Sequence, residues 1–402
     1  MEQSPGKNIL YISYTGLLEP LGQSQVYRYL DRLAERHKIT LVTFEKREDV
    51  KKRKRFEAMK QRVENAGIQW HPMRYHRKPS LPATIWDLSR GFITCLRSIR
   101  RNDIDIVHSR SYVASILALL CKRLFGTTFV FDMRGFWADE RIDAGIWDED
   151  DQIYRIAKWF ETKFIEQADV VVSLTNAGIG AIRSFDHVDT SNTQFEMIPT
   201  CVDLELFTPN PEQRSEDFVV GYVGSVGTWY LFDDVLDCFE LIQDRKPEAQ
   251  LAILNKGDHE LIKEKLREHD IDPSVISLKS VQHEQVPKEM NKMDIGIFLI
   301  KPTFSKTGSS PTKMGEFLAC GVPCLSNAGV GDVEEILESN EVGVAMESLD
   351  HTAKQEAVEN ILKLHLSSEI ATRCRSVAKS YYSLSEGVEK YDKIYQSISS
   401  DE

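Results

Sequence analysis

The densest concentration of chemically useful side chains in the sequence is Lys301–Gly321, KPTFSKTGSSPTKMGEFLACG. Ser310 followed by Pro311 predicts a helix start, with a hydroxyl N-cap and then a proline whose missing N–H costs nothing at the first position. Gly321, followed by Val322 and Pro323, is expected to end that helix. Met314, Phe317 and Leu318 then share a core-facing side, while Thr312 and Glu316 fall together on another. The hydroxylated loop Thr307–Ser310, with Ser309 and Ser310 at its end, brings backbone N–H groups to a helix N-terminus, which favours an anion. Lys306 and Lys313 flank that point with the charge to neutralise a diphosphate. Glu316, one turn in, offers two acceptor oxygens suited to the vicinal hydroxyls of a ribose. An ordinary capped helix with solvated lysines has the same local pattern.

A second loop strengthens the first. Gly221-Tyr-Val-Gly224-Ser225-Val-Gly227-Thr228-Trp-Tyr follows an apolar run, and its glycines let backbone approach a ligand closely. Alone it is a turn; two glycine and hydroxyl loops in one half of the chain are a stronger indication together.

The elements that must position these loops alternate along the whole chain. Short apolar or β-branched runs at 8–13, 39–44, 104–108, 128–132 and 170–173 are separated by helical patterns, one of them with Val26, Leu30 and Leu33 on a single face. Pro199–Pro211 carries three prolines in thirteen residues, the composition of a linker. Beyond it the pattern restarts with runs at 219–223, 250–254, 275–278, 295–299 and 323–325, and closes on a helical stripe of Val388, Tyr391, Ile394 and Tyr395. Strands alternating with helices imply parallel sheets buried on both faces, so the expected fold class is α/β with two doubly wound halves. Ligands of such folds bind outside the carboxyl ends of the strands, and a cleft between the halves is expected.

Composition narrows the class. The chain has 402 residues, 42% hydrophobic and 28% charged, as in globular proteins. No apolar run approaches a membrane span, and the start lacks a basic leader followed by an apolar stretch. Seven cysteines without a Cys-x-x-Cys pair argue for reduced thiols in the cytoplasm and against a zinc site. Residues 1–200 carry 30 Lys/Arg against 26 Asp/Glu, and residues 201–402 carry 20 against 36. That asymmetry excludes a uniformly nucleic-acid-binding protein and leaves the first half suited to an anionic partner or membrane surface.

Four segments resemble the family 4 glycosyltransferases, enzymes of the GT-B fold with two Rossmann-like domains that use nucleotide-sugar donors. They are Glu19-Pro-Leu-Gly-Gln-Ser-Gln-Val26, Ile198-Pro-Thr-Cys-Val-Asp-Leu-Glu-Leu-Phe207, Gly221–Tyr230 and Ser310–Pro323. The second is similar to the family's linker signature, with Cys201 where glycine is frequent. The resemblance implies an acceptor domain over 1–198, a donor-binding domain over 199–384, and a terminal helix over 385–402 that packs back on the first. It implies transfer of a sugar from a nucleotide-diphosphate sugar to a hydroxyl of a glycan or lipid-linked acceptor, with retention, in surface polysaccharide or glycoconjugate synthesis, and with neither metal nor cofactor. Glu316 matches the second of two family glutamates, and Gly308 stands where the first is common. The loop after the first strand of the donor half lacks the family's Arg and Lys, so Lys306 and Lys313 are expected to take over their task, joined by Arg134.

The donor site is therefore expected to comprise Gly22, Gln23, Gly224, Ser225, Gly227, Thr228, Ser309, Ser310, Thr312, Lys313 and Glu316, with His108, Lys306, Lys313 and Glu316 catalytic. The amides of Gly22, Gln23 and Ser24 are expected in a loop facing the cleft. His108 is placed at the carboxyl edge of its strand. Glu19 and the cluster Asp132-Met-Arg134-Gly-Phe-Trp137-Ala-Asp139-Glu140, with Arg110, are expected to bind the acceptor, carboxylates meeting hydroxyls and Trp137 giving a flat apolar face. A structural ion-pair network competes with that reading. Asp103-Ile-Asp105 and Asp270-Ile-Asp272 match a metal-binding tripeptide too short to be specific. The basic segment 46–62, with Arg97, Arg100 and Arg101, suits peripheral contact with anionic lipid at the inner face of the membrane. The alternatives are a nucleotide-sugar epimerase of the same fold and a non-catalytic nucleotide-binding scaffold. A dinucleotide oxidoreductase is disfavoured: Glu45 ends the second strand where a ribose-binding acid belongs, but the first loop lacks Gly-x-Gly-x-x-Gly.

Overall fold

The computed structural model describes residues 6–78 and 80–398, which form two compact units. Of these residues, one unit takes those up to Leu174, Gly178–Ile198 and those from Ser385 on, the other Thr175–Ala177 and Pro199–Leu384. In the first, strands β1 (Asn8–Ser13), β2 (Lys38–Glu45), β3 (Gln69–Arg74), β4 (Ile106–Arg110), β5 (Thr128–Asp132), β6 (Val170–Ser173) and β7 (Gln194–Met197) form one parallel sheet in the order β3-β2-β1-β4-β5-β6-β7. In the second, β8 (Val219–Val223), β9 (Gln250–Leu254), β10 (Ile276–Lys279), β11 (Ile295–Ile297), β12 (Cys324–Asn327) and β13 (Gly343–Met346) pair in parallel as β10-β9-β8-β11-β12-β13. Both orders are doubly wound. The chain direction across the sheet reverses between β1 and β4 in one unit and between β8 and β11 in the other. Those switch points are where loops diverge and leave room for a ligand.

Continuous apolar runs bury on both faces: β8 and β11 are buried throughout, between one layer with Val235, Phe239 and Ile361 and another with Met314, Phe317 and Leu318. Gly296 in β11 allows the second layer to seat closely, since a Cβ there would lie 2.6 Å from the Phe317 ring. The linker segment is fixed within the second unit. Val202 N–H donates to the Tyr382 carbonyl at 2.7 Å, Asp203 Oδ1 accepts from Glu205 N–H at 3.1 Å, and Phe207 is buried in the core. The closing helix Leu384–Ser397 belongs to the first unit, apart from its first residue, and buries Tyr391, Ile394 and Tyr395.

Two expectations about elements are corrected. The strand read as 104–108 is Ile106–Arg110, so His108 lies in its middle rather than at its edge. The stretch read as loop through Ser24 turns helical at Pro20, continuing as a π-helical turn over Gln23–Tyr27 and an α-helix over Arg28–Leu33. Proline at the first helical position starts it there, and the Gln23 N–H is spent on the Glu19 carbonyl at 3.0 Å.

Candidate active site

In the second unit the two loops singled out in the sequence leave β8 and β11, on either side of the switch point. After β8 the chain turns sharply, with Gly224 at φ +147° and Gly227 at φ +87°, conformations open to glycine. The turn is braced from below. Tyr222 Oη donates to the Ser225 carbonyl at 2.5 Å, Asn255 Nδ2 to the Gly224 carbonyl at 2.8 Å, and Val226 N–H to Asp258 Oδ2 at 3.2 Å. Asn255 Nδ2 also donates to Asp258 Oδ2 at 3.0 Å, and these bonds hold the Asp258 carboxyl below its usual range. Thr228 sits at φ +50° and is exposed, as is Ser225.

After β11 the loop forms a 3₁₀ turn over Phe304–Gly308 and enters the helix Thr312–Ala319. Lys306 is buried, and its ammonium stands 3.8 Å from the centre of the Trp229 ring in the first loop. This cation–π contact joins the two loops. Behind them, Gly331 N–H donates to the Lys306 carbonyl at 2.9 Å. The helix entry differs from expectation. Pro311 is the N-cap and supplies no side-chain cap, while Ser310 Oγ accepts from Thr200 N–H at 3.3 Å. The linker thus takes the hydroxyl that would have capped the helix. Met314 N–H donates to the Pro311 carbonyl at 3.2 Å, but among the described residues no side chain accepts from the N–H groups of Thr312 and Lys313, and open N–H groups are what an anion site requires. Gly321 at φ +79° ends the helix as expected.

Thr312 and Lys313 are half-buried at this entry, Ser309 precedes them, and Glu316 is buried one turn in. Lys313 Nζ lies 3.0 Å from Glu316 Oε2. Burial pushes the Tyr230 hydroxyl pKa up, and the nearby Lys313 charge partly offsets it. Gly224, Ser225, Gly227, Thr228, Ser309, Ser310, Thr312, Lys313 and Glu316 therefore fall in one unit, on two loops tied together through Lys306 and Trp229.

The residues expected in the first unit separate into two groups. Arg110 ends β4, Asp132 ends β5 with Arg134 just beyond it, and His108 in the middle of β4 brings its Nε2 to 4.0 Å from Asp132 Oδ2. His108 Nδ1 is 2.6 Å from the Tyr395 hydroxyl of the closing helix, and burial lowers the His108 pKa, keeping the ring neutral. The other group is occupied elsewhere. Glu19 pairs with Lys46, and Asp139 accepts from Tyr154 Oη at 2.9 Å and Lys158 Nζ at 3.0 Å, in a network that reaches Glu161 and Tyr112. Trp137 packs on Tyr112 and Trp147 with ring centres 5.6 and 5.2 Å away. Asp139 is thus held in an ion-pair network and Trp137 in an aromatic stack. Glu140 is half-buried on the same helix. Gly22 is helical, and a Cβ there would lie 2.0 Å from the Gly16 carbonyl, so its place is one of close packing.

Other carboxylates are spent on backbone. Glu45 is buried and accepts from the Leu17 and Leu18 N–H groups at 2.8 and 3.2 Å, which removes it as a ribose ligand. Asp105 Oδ2 accepts from Asn8 N–H and Asp272 Oδ1 from Ser274 N–H, both at 2.8 Å.

The comparisons with known proteins give the family and the fold. A glycosyl transferase 4-like domain matches residues 22–195, and the glycosyl transferases group 1 domain matches residues 205–380. Together they cover most of the chain, which belongs to the family 4 glycosyltransferases of GT-B fold. Among solved structures, sucrose-phosphate synthase from Thermosynechococcus elongatus is similar at 13% identity and TM-score 0.72, over 97% of this chain and 98% of that one. Anabaena HepE in complex with UDP and glucose is similar at 14% identity and TM-score 0.69, over 97% and 99%. A glycosyltransferase from Rickettsia africae is similar at 14% identity and TM-score 0.72, over 99% and 100%. These likenesses show the shared fold. No curated protein matches the sequence.

Proposed function

We propose that this glycosyltransferase moves a sugar from a nucleotide-diphosphate sugar to a hydroxyl of a glycan or lipid-linked acceptor, with retention of anomeric configuration and without a metal. The observation that carries the donor half is the uncapped entry of the helix Thr312–Ala319, flanked by Lys306 and Lys313 with Glu316 one turn inside. A diphosphate there accepts from the helix N–H groups, and the two lysines balance its charge. Glu316 accepts from the ribose hydroxyls. HepE, solved with UDP and glucose, supports the donor class. In the transfer, the bond from the sugar's anomeric carbon to the diphosphate oxygen breaks as the acceptor oxygen bonds to that carbon from the same face. The acceptor's proton passes to the departing phosphate oxygen. Helix dipole and lysines stabilise that leaving group, and no carboxylate is required at Gly308. We place the reaction in the cytoplasm, in surface glycan or glycoconjugate synthesis.

A thermal-shift panel of UDP-, GDP- and dTDP-sugars tests the donor half. One nucleotide class is expected to raise the melting temperature. A flat response across the panel contradicts the proposal and favours a scaffold. Conversion of a UDP-sugar alone into its epimer favours the epimerase.

Contact with an anionic lipid surface belongs to the same reading. No helix among the described residues is long and apolar enough to cross a membrane. Support comes from the helix Ser80–Asn102, where Leu81, Ile85 and Trp86 are 62%, 55% and 58% exposed. Arg90, Arg97, Arg100 and Arg101 are also exposed along it, and its one acidic residue, Asp87, is buried against His76. An outer face dominated by apolar and basic residues, with Ser89 exposed among them and the one carboxylate turned inward, suits a membrane interface. Each such charge contributes about 1 kcal/mol near an anionic bilayer. Changing Arg97, Arg100 and Arg101 together to Gln is then expected to weaken sedimentation with phosphatidylglycerol vesicles roughly 100-fold at low salt. Wild-type protein that stays in the supernatant contradicts the contact.

A further inference from the structure

We propose that the first unit holds an oxyanion between Arg110 and Arg134, and that in the working enzyme this is a negatively charged group of the acceptor, a phosphate ester or a carboxylate. The second clause rests on the glycosyl-transfer reading above; the first does not.

The site lies at the first unit's own switch point. β4 ends at Arg110 and β5 at Asp132, paired in register, and β4 adjoins β1. Arg110 is 8% exposed and Asp132 2%. Neither guanidinium makes a hydrogen bond among the described residues, and Arg110 Nε, Asp132 Oδ1 and His108 Nε2 are buried without partners. The nearest approaches are 3.9 Å from Arg134 Nη1 to Asp132 Oδ1 and 4.0 Å from His108 Nε2 to Asp132 Oδ2, both beyond hydrogen-bond reach. Buried polar groups are normally paired, so several orphaned ones converging on one spot indicate a missing partner.

Charge gives that partner its sign. Burial raises the Asp132 pKa, but Arg134, His108 and Arg110 outweigh it, and the carboxylate stays ionised. His108 is neutral, as are the hydroxyls of Tyr11, Tyr391 and Tyr395 that line the cluster, their pKa values raised chiefly by burial. Two guanidinium charges therefore face one carboxylate. An uncompensated positive charge so deeply buried is costly, and burial together with Arg134 already lowers the Arg110 pKa. An oxyanion restores the balance and can accept from two guanidinium forks at once.

Thermal shift with inorganic phosphate tests this, with the protein saturated in UDP so that the donor loops are filled. Phosphate is expected to raise the wild-type melting temperature and to have no effect on Arg110→Gln. Without phosphate that variant should melt no lower than wild type, because it leaves a balanced Arg134–Asp132 pair. Arg110→Lys keeps the charge but loses the fork, and should respond weakly. In transfer assays Arg110→Gln should raise the KM for a phosphorylated or uronic acceptor roughly 30-fold and leave the donor KM unchanged. Whichever of the two acceptors shows the larger rise identifies the source of the oxyanion. An equal phosphate response in wild type and Arg110→Gln, no response in either, or a ligand-free Arg110→Gln that melts several degrees lower would each overturn the site. If UDP itself leaves the melting temperature unchanged, the donor reading has failed. The comparison of wild type with Arg110→Gln in phosphate still decides the anion site.

Discussion

Lys313→Ala is expected to reduce turnover of the nucleotide-sugar by roughly 30–150-fold, corresponding to about 2–3 kcal/mol for a hydrogen bond to a charged group. Lys313 stands at the uncapped helix entry and pairs with Glu316 at 3.0 Å when no donor is present. The pair keeps the buried carboxylate compensated and holds the ammonium beside the place assigned to the diphosphate. Truncation removes a phosphate partner and leaves Glu316 unbalanced, so some loss of stability should accompany the loss of activity. Lys313→Arg separates the two, since it restores the charge and should recover stability and part of the turnover. Lys306→Ala should act in the same direction, because it also unties the Trp229 loop. Glu316→Gln reads the ribose contact: wild type should prefer UDP over its 2′-deoxy analogue, and the variant should lose most of that preference. Steady-state kinetics showing Lys313→Ala at wild-type efficiency would remove the neutralising role.

Arg375→Ala is expected to destabilise the second unit by about 2–4 kcal/mol and lower its melting temperature by roughly 5–15 °C. One guanidinium serves three carbonyls: Phe207 at 2.5 Å, Ala319 at 2.9 Å and Leu204 at 2.7 Å. Leu204 and Phe207 belong to the linker, and Ala319 is the last residue of the donor helix. The side chain therefore fixes the far end of the helix whose near end is proposed to bind phosphate. Truncation leaves those carbonyls without their donor, at a cost of about 1–3 kcal/mol for each that stays buried. Calorimetry of the variant checks this, and an unchanged transition would show that the linker is held by Val202, Asp203 and Phe207 alone.

The central strands were legible because burial on both faces demands continuous apolar runs. Asn8–Ser13, Thr128–Asp132, Val170–Ser173, Val219–Val223 and Gln250–Leu254 fall where the sequence places them. The strands it does not reveal are Gln69–Arg74, Gln194–Met197 and Gly343–Met346, all at sheet edges. An edge strand needs less apolar surface and tolerates Pro72, so its run is short or mixed. β4 was displaced by two residues for a related reason. His108, Ser109 and Arg110 are polar yet buried, and a polar triplet reads as the end of a strand. The loops after β8 and β11 were recognisable from glycine and hydroxyl content. The partners of individual side chains were not, because Lys46 on Glu19, Lys158 on Asp139 and Thr200 on Ser310 come from residues 27, 19 and 110 positions away. The Arg110–Arg134 excess charge was equally hidden, since it depends on strand order rather than on spacing.

The most direct test of the account is a crystal structure of the protein with UDP. The phosphorus atoms are predicted within about 4 Å of the N–H groups of Thr312 and Lys313, with the ribose hydroxyls on Glu316. Phosphates bound away from the Thr312–Ala319 entry, with Glu316 still closed on Lys313, would contradict it.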